Sequence, residues 1–281
     1  MRWTWVNNEF VEESKAMIHI NDLAVQRGYG VFDFFRTREY KPLFIKEHLN
    51  RFFQSAQLMR LPIWLEKEQI EKIVLQLIEK NNIPESGIKL TLTGGYSADG
   101  YSPAAPNFII QQQALSVTSE ERFFKGLKLI THSHQRELPQ VKSINYLMGV
   151  WLQKEIADNG ADDVLFYTSD IITELPRANI FMVNEDDVLV TPTHNILQGV
   201  TRKHVLQLAS DCMKVEERNV SLKELKNASE IFITSTTKRI LPVFEIDREN
   251  VGANYPGRHT IFLHRKFIEM EEGLLESSSN T

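Results

Sequence analysis

The sequence predicts an α+β protein with a smaller amino-terminal domain, residues 1–116, and a larger, strand-rich carboxyl-terminal domain, residues 117–281. Three observations predict this class. In a few segments apolar residues recur at the three- and four-residue steps of a helix, whereas most other apolar runs are short and end at Gly, Asn, Asp or Pro. The chain of 281 residues is long enough for one large or two modest domains. Residues 114–119 have the composition of a linker, and we place the domain boundary there.

Short strands and two amphipathic helices are expected in the amino-terminal domain. One helix begins at residue 46 and ends before Pro62, and a second covers residues 66–80, each with one apolar stripe. A loop at residues 94–106, rich in Gly, Ser and Pro, is long enough to be functional. Strands are predicted in a hairpin that turns at Asn7-Asn8, and at residues 16–20, 28–37, 43–45, 88–93 and 107–112.

The carboxyl-terminal domain is expected to hold three helices among many short strands. The predicted helices cover residues 143–158, 201–212 and 259–272. The predicted strands cover residues 127–132, 164–168, 171–174, 179–183, 188–191 and 231–234. The polar tail, residues 276–281, is expected to be disordered.

Composition and charge exclude several kinds of partner. The formal net charge of −5 argues against nucleic acid or an anionic membrane surface, because both require a basic face. A single cysteine, Cys212, excludes an internal disulfide and fits a reducing compartment. The first residues lack the apolar core of a signal peptide, and no stretch approaches the ~20 apolar residues of a membrane span. His132 and His134 lack the companions of a zinc site, so no metal is expected. We expect a cytoplasmic protein that acts on a small molecule.

Lys142 and Glu174 are the residues whose pattern indicates chemistry. Lys142 precedes a predicted helix, and Glu174 follows on a predicted strand. A pyridoxal phosphate (PLP) enzyme needs such a pair, because the amine forms a Schiff base with the aldehyde and the carboxylate partners the protonated ring nitrogen. An exposed lysine is a poor nucleophile at neutral pH, and burial or nearby cations would have to lower its pKa. The ordinary alternatives to a catalytic role are a solvated surface lysine for Lys142 and an exposed strand residue for Glu174.

Three further features are suited to a phosphate group. Arg51 offers a charged, two-pronged donor on a predicted helix. Residues 197–201, Leu-Gln-Gly-Val-Thr, begin a helix, where free N–H groups attract anions. Residues 235–237, Ser-Thr-Thr, add hydroxyl and backbone donors. Each feature alone is also common as plain structure, and their number and order give the pattern its value.

In this order the motifs resemble class IV aminotransferases, the group that holds D-amino-acid aminotransferase, branched-chain aminotransferase and aminodeoxychorismate lyase. The resemblance extends from the turn at Gly28 through Asp247. It implies the fold type IV of PLP enzymes, in which a small α+β domain and a larger domain with a pseudo-barrel hold the cofactor between them. It also implies a homodimer with shared active sites, in which the neighbouring subunit contributes Arg27 and the loop at residues 94–106 to each site.

The resemblance further implies a role for individual residues. Lys142 would be the catalytic Schiff-base residue, which also carries the proton between the substrate α-carbon and the cofactor. Tyr146, one helical turn beyond Lys142, would hydrogen-bond the cofactor phenolate, although a core tyrosine at helical spacing is the ordinary alternative. The expected cofactor-binding residues are Arg51, Tyr146, Glu174, Leu197, Val200, Thr201, Ser235 and Thr236.

Recognition of the substrate carboxylate is less determined. The usual D-amino-acid enzyme carries Arg-x-His in the loop that matches residues 94–106, and this loop has neither residue. We expect Arg177 and Arg27 to bind the carboxylate instead, with surface ion pairs as the ordinary alternative. The expected substrate-binding residues are Arg27, Phe32, Lys89, Arg177 and Thr237.

The predicted activity is transamination between an α-amino acid and a 2-oxo acid. We favour D-amino acids, because Arg27, Lys89 and Arg177 supply cations where a branched-chain site should be more apolar. A branched-chain L-amino-acid aminotransferase is the second interpretation, since those enzymes share the Asn-Tyr pair after the lysine. Aminodeoxychorismate lyase, which eliminates pyruvate, is the third. A non-enzymatic scaffold is disfavoured by the retained lysine, glutamate and phosphate motifs.

Overall fold

The structure, a computed structural model, describes residues 1–116, 119–252 and 255–277. It separates into two compact units: Met1–Ser116 with Val141–Asn145, and Val117–Gln140 with Tyr146–Thr281. These units differ from the predicted domains, 1–116 and 117–281, in one stretch, because residues 141–145 pack with the first unit. Linker residues 117 and 118 and tail residues 278–281 lie outside the described residues. Helices and strands occur in both units, so the predicted α+β class is confirmed.

The first unit is a six-stranded antiparallel sheet with helices packed on it. The strands, in the spatial order β2-β1-β6-β5-β3-β4, are β1 (Trp3–Val6), β2 (Glu9–Glu12), β3 (Gly30–Arg38), β4 (Lys41–Pro42), β5 (Ser86–Thr93) and β6 (Phe108–Ala114). The helices are α1 (Leu23–Arg27), α2 (Ile45–Leu58) and α3 (Lys67–Asn81), with a single 3-10 turn at Glu13–Lys15.

Helices α2 and α3 form where the sequence predicts them, because each carries one apolar stripe. Leu49 and Phe52 of α2 and Val74 of α3 are at most 1 % exposed and belong to the core against the sheet. Burial of each such side chain contributes about 1.5–3 kcal/mol. The start of α3 is fixed by a capping box between Glu66 and Gln69, which satisfies backbone N–H groups that the helix itself cannot.

Two strand predictions in the first unit are wrong. Residues 16–20 form no strand, and the side chains of Met17 and Ile20 are exposed, because this stretch has no neighbouring strand to pair with. The strand predicted at residues 43–45 is replaced by a turn, in which Phe44 has a φ of 55°, and α2 begins at Ile45.

The second unit holds a ten-stranded mixed sheet that is curled into a half-barrel. Its main path runs β13-β12-β11-β14-β15-β7-β8-β9, while β10 pairs with β11 and β16 with β15. The strands are β7 (Leu127–Ser133), β8 (Asp163–Thr168), β9 (Ile171–Ile172), β10 (Glu174–Leu175), β11 (Ala178–Val183), β12 (Leu189–Thr191), β13 (Val215–Glu217), β14 (Glu230–Ser235), β15 (Arg239–Ile246) and β16 (Glu249–Asn250). The helices are α4 (Glu120–Lys125), α5 (Leu147–Trp151), α6 (Gln153–Asp158), α7 (Val200–Ser210), α8 (Leu222–Lys226) and α9 (Arg258–Ser277).

Three features of the second unit differ from the sequence prediction. The helix expected over residues 143–158 begins only at Leu147 and is divided into α5 and α6 at Leu152. The strand expected at residues 171–174 is split into β9 and β10, and residues 276 and 277 of the expected tail belong to α9. The elements β13, β15, β16, α4 and α8 were not predicted.

The centre of this sheet aligns three polar residues in one row. Glu174 of β10 is the register partner of Asn179 in β11, and Asn179 is the partner of Thr234 in β14. Because neighbouring strands lie about 4.8 Å apart, the row is about 10 Å long.

In the described part of the chain, no helix is long and apolar enough to cross a membrane.

Candidate active site

Lys142 lies in an extended segment that is held against β3. Ser143 forms an antiparallel bridge with Val31, and the N–H of Phe32 donates to the carbonyl oxygen of Lys142 at 2.9 Å. The N–H of Lys142 donates to the Oγ of Ser55, a buried residue of α2, at 3.1 Å. These contacts fix the backbone of the lysine, so its side chain starts from a rigid point on the first unit.

The ring of Phe32 lies beneath two lysine side chains. The Nζ of Lys142 is 4.5 Å from the ring centroid, and the Nζ of Lys89 is 5.5 Å from the same centroid. An ammonium over the face of an aromatic ring is attracted by the ring quadrupole. The structure therefore brings together three residues, Lys142, Lys89 and Phe32, that the sequence assigned to the site.

Arg51, expected to bind phosphate, is engaged in a buried ion pair. Its Nε donates to Oδ2 of Asp33 and a terminal nitrogen donates to Oδ1, both at 2.8 Å, and His48 Nδ1 lies 2.7 Å from the same Oδ1. Burial alone would raise the pKa of Asp33, but the charge of Arg51 and the contact with His48 outweigh it and hold that pKa well below its usual range. Burial lowers the pKa of His48, and the carboxylate of Asp33 opposes this shift. One two-pronged edge of Arg51 thus binds Asp33, and the phosphate-binding role of Arg51 stays a prediction.

Glu174 is buried, and its carboxylate accepts hydrogen bonds from Arg136 and Leu197. Arg136 donates to its Oε1 from Nε at 2.8 Å and from a terminal nitrogen at 2.6 Å, and the N–H of Leu197 donates to Oε2 at 2.8 Å. The guanidinium of Arg136 also reaches the carbonyl oxygen of Pro139. A buried carboxylate is tolerated when it is paired in this way, and the pairing favours its charged form.

The turn before α7 is tied to the same row of residues. The side-chain amide of Asn179 donates to the carbonyl oxygen of Leu197 at 2.8 Å. Gly199 is the N-cap of α7 and no side chain caps this eleven-residue helix. A Cβ at Gly199 would lie 2.2 Å from Oδ1 of Asn179, so a larger residue there would displace the Asn179 amide. Val200 and Thr201 begin the helix, whose N–H groups are suited to an anion.

The second expected phosphate turn follows the end of the row. The hydroxyl of Thr234 is buried and has no hydrogen-bond partner among the described residues. Ser235 ends β14, and its Oγ accepts the N–H of Lys238 at 3.2 Å. Thr236 and Thr237, half-buried, continue the turn. The buried, unpartnered hydroxyl of Thr234 and the side-chain hydroxyls of the residues after it are donors that fit a phosphate group.

The position expected for Tyr146 is wrong. It was expected one helical turn beyond Lys142, but residues 141–145 are extended along β3 and Tyr146 is the N-cap of α5. The spacing of four residues therefore places the two side chains on no common helix face. Tyr146 remains half-buried, and its role as a cofactor ligand stays a prediction.

The two arginines expected to bind the substrate carboxylate are exposed. Arg177 lies between β10 and β11, and Arg27 ends α1, where it donates to the carbonyl oxygen of Gln26 at 2.9 Å. Gly100 of the loop at residues 94–106 lies beside this arginine: a Cβ there would be 3.8 Å from a terminal nitrogen of Arg27. Their roles stay predictions, as does that of Thr237.

The carboxylate of Asp99 accepts four hydrogen bonds within the loop at residues 94–106. Asp99 accepts the hydroxyl of Ser97 and the N–H of Tyr101 at 2.9 Å, and both the N–H and the hydroxyl of Ser102 at 2.7 Å. The hydrogen bonds from Ser102 and Tyr101 hold the pKa of Asp99 well below its usual range.

Sequence reasoning missed Arg136, Asp33, His48 and Asp99. Arg136 and Glu174 are 38 residues apart, and no local pattern connects them. Asp33 and His48 carried a usable signal, because a charged residue inside an apolar strand and a histidine on a buried helix stripe both require partners.

Within the described residues, no group of three or more His, Cys, Asp or Glu side chains could hold a metal ion.

The chain is similar to known proteins over nearly its whole length. The family described as amino-transferase class IV matches residues 30–246. A protein of Methanocaldococcus jannaschii, provisionally named branched-chain-amino-acid aminotransferase, is 34% identical over 280 residues, 95% of each chain. The D-alanine aminotransferase of Listeria monocytogenes is 30% identical over 273 residues, 94% of each chain.

A solved structure, the branched-chain amino acid aminotransferase of T.th. with pyridoxamine 5'-phosphate, superposes with a TM-score of 0.90 at 25% identity. The match covers 97% of this chain and 94% of that one. The predicted fold type IV, the PLP cofactor and the aminotransferase activity are confirmed by these matches. The charged carboxylate of Glu174, the uncapped helix and the partnerless hydroxyl of Thr234 suit that cofactor, and the chain belongs to the class IV aminotransferases.

Proposed function

We propose that this aminotransferase binds PLP covalently through Lys142 and moves amino groups between a D-amino acid and a 2-oxo acid. The observation that carries the assignment of the site is the carboxylate of Glu174, which Arg136 and the N–H of Leu197 hold in place at the start of the row that ends at Thr234. Such a carboxylate is suited to a protonated ring nitrogen.

The residues of this chain would divide the work as follows. Bound PLP supplies an electron-poor ring that takes up the charge left when the substrate α-carbon loses its proton. Glu174 holds the proton of the ring nitrogen, because its charge is fixed by Arg136. The N-terminus of α7, at Val200 and Thr201, binds phosphate with the turn at residues 234–236. Arg51 stays proposed as a further cation for the phosphate.

Lys142 moves the proton. Its backbone is held by β3 and by Ser55, so only the side chain has to travel between its linked and released positions. Once the substrate amine has replaced it, the amine of Lys142 can take the proton from the substrate α-carbon as a general base.

Cations support the choice of D-amino acids. Lys89, Arg27 and Arg177 have no carboxylate partner among the described residues, and each can bind an anionic substrate. An L-branched-chain substrate is the second candidate, because the M. jannaschii relative and the solved T.th. structure carry that name. A lyase with the same lysine would differ from both, since it releases pyruvate and leaves no aminated cofactor.

A homodimer with shared sites is also proposed. Residues 17–27 and the loop at residues 94–106 form one surface, since the N–H of Leu23 donates to the oxygen of Gly95 and the N–H of Ser97 to that of Asn21. This surface exposes apolar side chains: Ile20 is 73% and Tyr101 81% exposed. Exposed apolar patches of this kind often mark interfaces. Sedimentation should show a dimer, and a monomer would contradict the proposal.

The covalent link gives the first test. Protein soaked with PLP and reduced with borohydride should yield one phosphopyridoxyl adduct, on the peptide that contains Lys142. The variant Lys142→Ala should yield none and should lose turnover, whereas the surface variant Lys72→Ala should keep both. An adduct on another lysine, or none, would remove Lys142 from the proposed role.

The hand of the substrate gives the second test. The visible band of the bound cofactor should decrease when D-alanine or D-glutamate is added, and not with L-leucine. A decrease with L-leucine alone would replace the proposal by the branched-chain candidate. If pyruvate is released from aminodeoxychorismate and no amino acid decreases the band, the lyase would replace the proposed transaminase.

A further inference from the structure

We propose that Asp22 is a positioning residue, which joins α1 and the loop at residues 94–106 into one substrate-binding element for the site of the neighbouring subunit. The inference rests on the proposed function, since it takes the homodimer with shared sites and the reacting Lys142 from there. It assigns a role to a buried carboxylate that the proposed mechanism does not use.

The carboxylate of Asp22 lies inside the first unit and is bound by three donors. Asp22 is 0% exposed. Its Oδ1 accepts the N–H of Ala24 at 2.7 Å, and its Oδ2 accepts the hydroxyl of Thr93 and the side-chain amide of Asn107, both also at 2.7 Å. A buried carboxylate is costly unless it is hydrogen-bonded, and hydrogen bonds to a charged group are short and strong. These three donors are therefore held firmly around one side chain.

The three donors belong to three different places in the chain. Asp22 is the N-cap of α1, and Ala24 lies in the first turn of that helix. Thr93 is the last residue of β5, directly before the loop at residues 94–106, and Asn107 is the first residue after the loop. The Oγ of Thr93 also accepts the N–H of Asn107 at 3.2 Å. One carboxylate thus connects both ends of the loop with the start of α1.

Backbone contacts hold the loop along α1 as well. The N–H of Leu23 donates to the carbonyl oxygen of Gly95 at 3.0 Å, and the N–H of Gly94 donates to that of Tyr29, just after α1 ends, at 3.0 Å. A Cβ at Gly94 would lie 2.9 Å from the Cβ of Leu23, so the two segments are in close contact there. With Asp22 at the junction, the helix and the loop form one element.

Asp22 does not reach the surface, so it acts on a substrate through other residues. The element exposes Arg27 at the end of α1, and a Cβ at Gly100 of the loop would lie 3.8 Å from a terminal nitrogen of Arg27. In the proposed homodimer these segments are contributed to the neighbouring site. Without the hydrogen bonds to Asp22, the loop and Arg27 lose their fixed position relative to each other, and substrate binding weakens.

Asp22→Asn, whose side chain has nearly the same size, gives the first test. Its amide group would offer hydrogens to groups that are themselves donors, so the junction is lost while the core is kept. The readout is the half-reaction with D-alanine, or with L-leucine if only that amino acid decreases the cofactor band. The amino acid concentration that gives half the maximal rate should rise about 10-fold. The maximal rate should change less than about 3-fold, because an interaction of equal strength in ground and transition states affects binding alone.

Further measurements separate this role from a general loss of structure. Asp22→Asn should still sediment as a dimer, bind PLP with an unchanged dissociation constant and give the borohydride adduct on Lys142. Thr93→Val keeps the shape of the side chain and loses the hydroxyl that Asp22 accepts, so it should also raise the half-saturating concentration. The control Ser119→Ala removes the N-cap of another short helix, α4, where Ser119 accepts the N–H of Arg122 at 3.2 Å, and it should leave that concentration unchanged.

Hybrid dimers, made by co-expression of two differently tagged subunits, test the action on the neighbouring site. With Lys142→Ala in one subunit and Asp22→Asn in the other, the remaining Lys142 is served by the intact element of its neighbour. The half-saturating concentration should then be that of the wild type. With both changes in one subunit and none in the other, the remaining Lys142 is served by the altered element, and the concentration should rise about 10-fold. A defect within the fold of the altered subunit would give the opposite pattern.

Unchanged half-saturating concentrations in both Asp22→Asn and Thr93→Val would overturn the inference. It would also be overturned if Asp22→Asn is monomeric or no longer binds PLP, because the carboxylate would then serve assembly or the fold. Hybrids that show the defect only when Asp22→Asn and the remaining Lys142 share a subunit would overturn it too, and the proposed transaminase would still stand. If the wild-type protein is a monomer, or no amino acid decreases its cofactor band, the proposed function fails and this inference fails with it.

Discussion

The guanidinium of Arg136 donates to Oε1 of Glu174 from two nitrogens, at 2.8 and 2.6 Å, and the N–H of Leu197 donates to Oε2 at 2.8 Å. Both oxygens accept hydrogen bonds from the protein, and these contacts orient the carboxylate. Glu174 is 4 % exposed, so this charge is shielded from water and acts strongly on its surroundings. Arg136 thus positions the residue proposed to hold the ring-nitrogen proton.

Replacement of Arg136 by Met should lower kcat by about 10- to 100-fold, the effect of losing a charged hydrogen bond. The physical reason is that a buried carboxylate without its cation becomes protonated and can no longer hold a proton on the ring nitrogen. Steady-state kinetics and the visible spectrum of the bound cofactor, measured against pH, would show the change together.

A matched control is Arg122→Met, since Arg122 pairs with Asp162 at 2.7 Å on the partly exposed surface of the same unit. Exposed pairs contribute only about 0–1 kcal/mol, so this variant should keep its kcat and spectrum. If Arg136→Met behaves like the control, Arg136 has no positioning role.

Gly199→Ala should weaken binding of the cofactor about 10-fold. The new methyl group would lie 2.2 Å from Oδ1 of Asn179 and would displace the amide that holds the carbonyl oxygen of Leu197 at 2.8 Å. The turn before α7 would then lose its shape. Titration of the cofactor-free protein with PLP, followed by absorbance, measures the dissociation constant.

The control for this variant is Gly273→Ala in α9, where no atom lies within 4 Å of the added Cβ. It should leave the dissociation constant unchanged and slightly stabilise the helix, because alanine has a higher helix propensity than glycine. Equal dissociation constants for Gly199→Ala and the wild type would show that this turn does not contact the cofactor.

Local patterns in the sequence were sufficient for part of the fold. The helices α2, α3, α7 and α9 were predicted to within a few residues at most ends, because each carries an apolar stripe of its own. The candidate pair Lys142 and Glu174 was found because both residues stand next to short motifs with a definite order.

Contacts distant in sequence decided the remainder. Residues 143–145 were expected to begin a helix, but the backbone of Ser143 and Ile144 pairs with β3, more than 100 positions earlier. Strand β15 was missed although it is central in its sheet, and Pro242 within it is typical of edges and breaks. Arg136 was missed for a related reason, since it lies outside any strand and its partner Glu174 follows 38 residues later on β10.

Asp99→Ala should increase proteolytic cleavage within residues 94–106 while the thermal midpoint of the protein changes little. The four donors that Asp99 accepts all belong to the loop itself, so their loss releases the loop and leaves the core intact. Limited proteolysis with mass spectrometry of the fragments measures this directly.

Asp186→Ala is the matched control, because Asp186 is an exposed turn residue in the second unit. Its cleavage pattern should equal that of the wild type. Since the pKa of Asp99 is held below its usual 3.8, the loop should stay ordered down to that pH and loosen below it. Resistance of Asp99→Ala to cleavage at residues 94–106 would contradict the proposed role in ordering the loop.

His264→Phe should make the stability of the protein less sensitive to acid. Burial lowers the pKa of His264 to about 4 from 6.5, and its ring stacks on Phe123 at 4.1 Å. Between these two pH values the unfolded chain binds a proton that the folded protein excludes, so stability is complete above pH 6.5 and falls as the pH drops toward 4. Phenylalanine keeps the stacking surface and removes the titration, as well as the Nδ1 that has no partner in the described part of the chain.

Chemical denaturation at a series of pH values measures this effect. Between pH 6.5 and 4, the slope of the free energy of unfolding against pH should be smaller in His264→Phe than in the wild type. The difference should approach the slope produced by the uptake of one proton on unfolding. His48, whose pKa burial also lowers, should contribute equally to both proteins and cancel in the comparison. Parallel curves for the two proteins would mean that His264 is as easily protonated in the folded state as in the unfolded chain, and its burial would then have no consequence for acid stability.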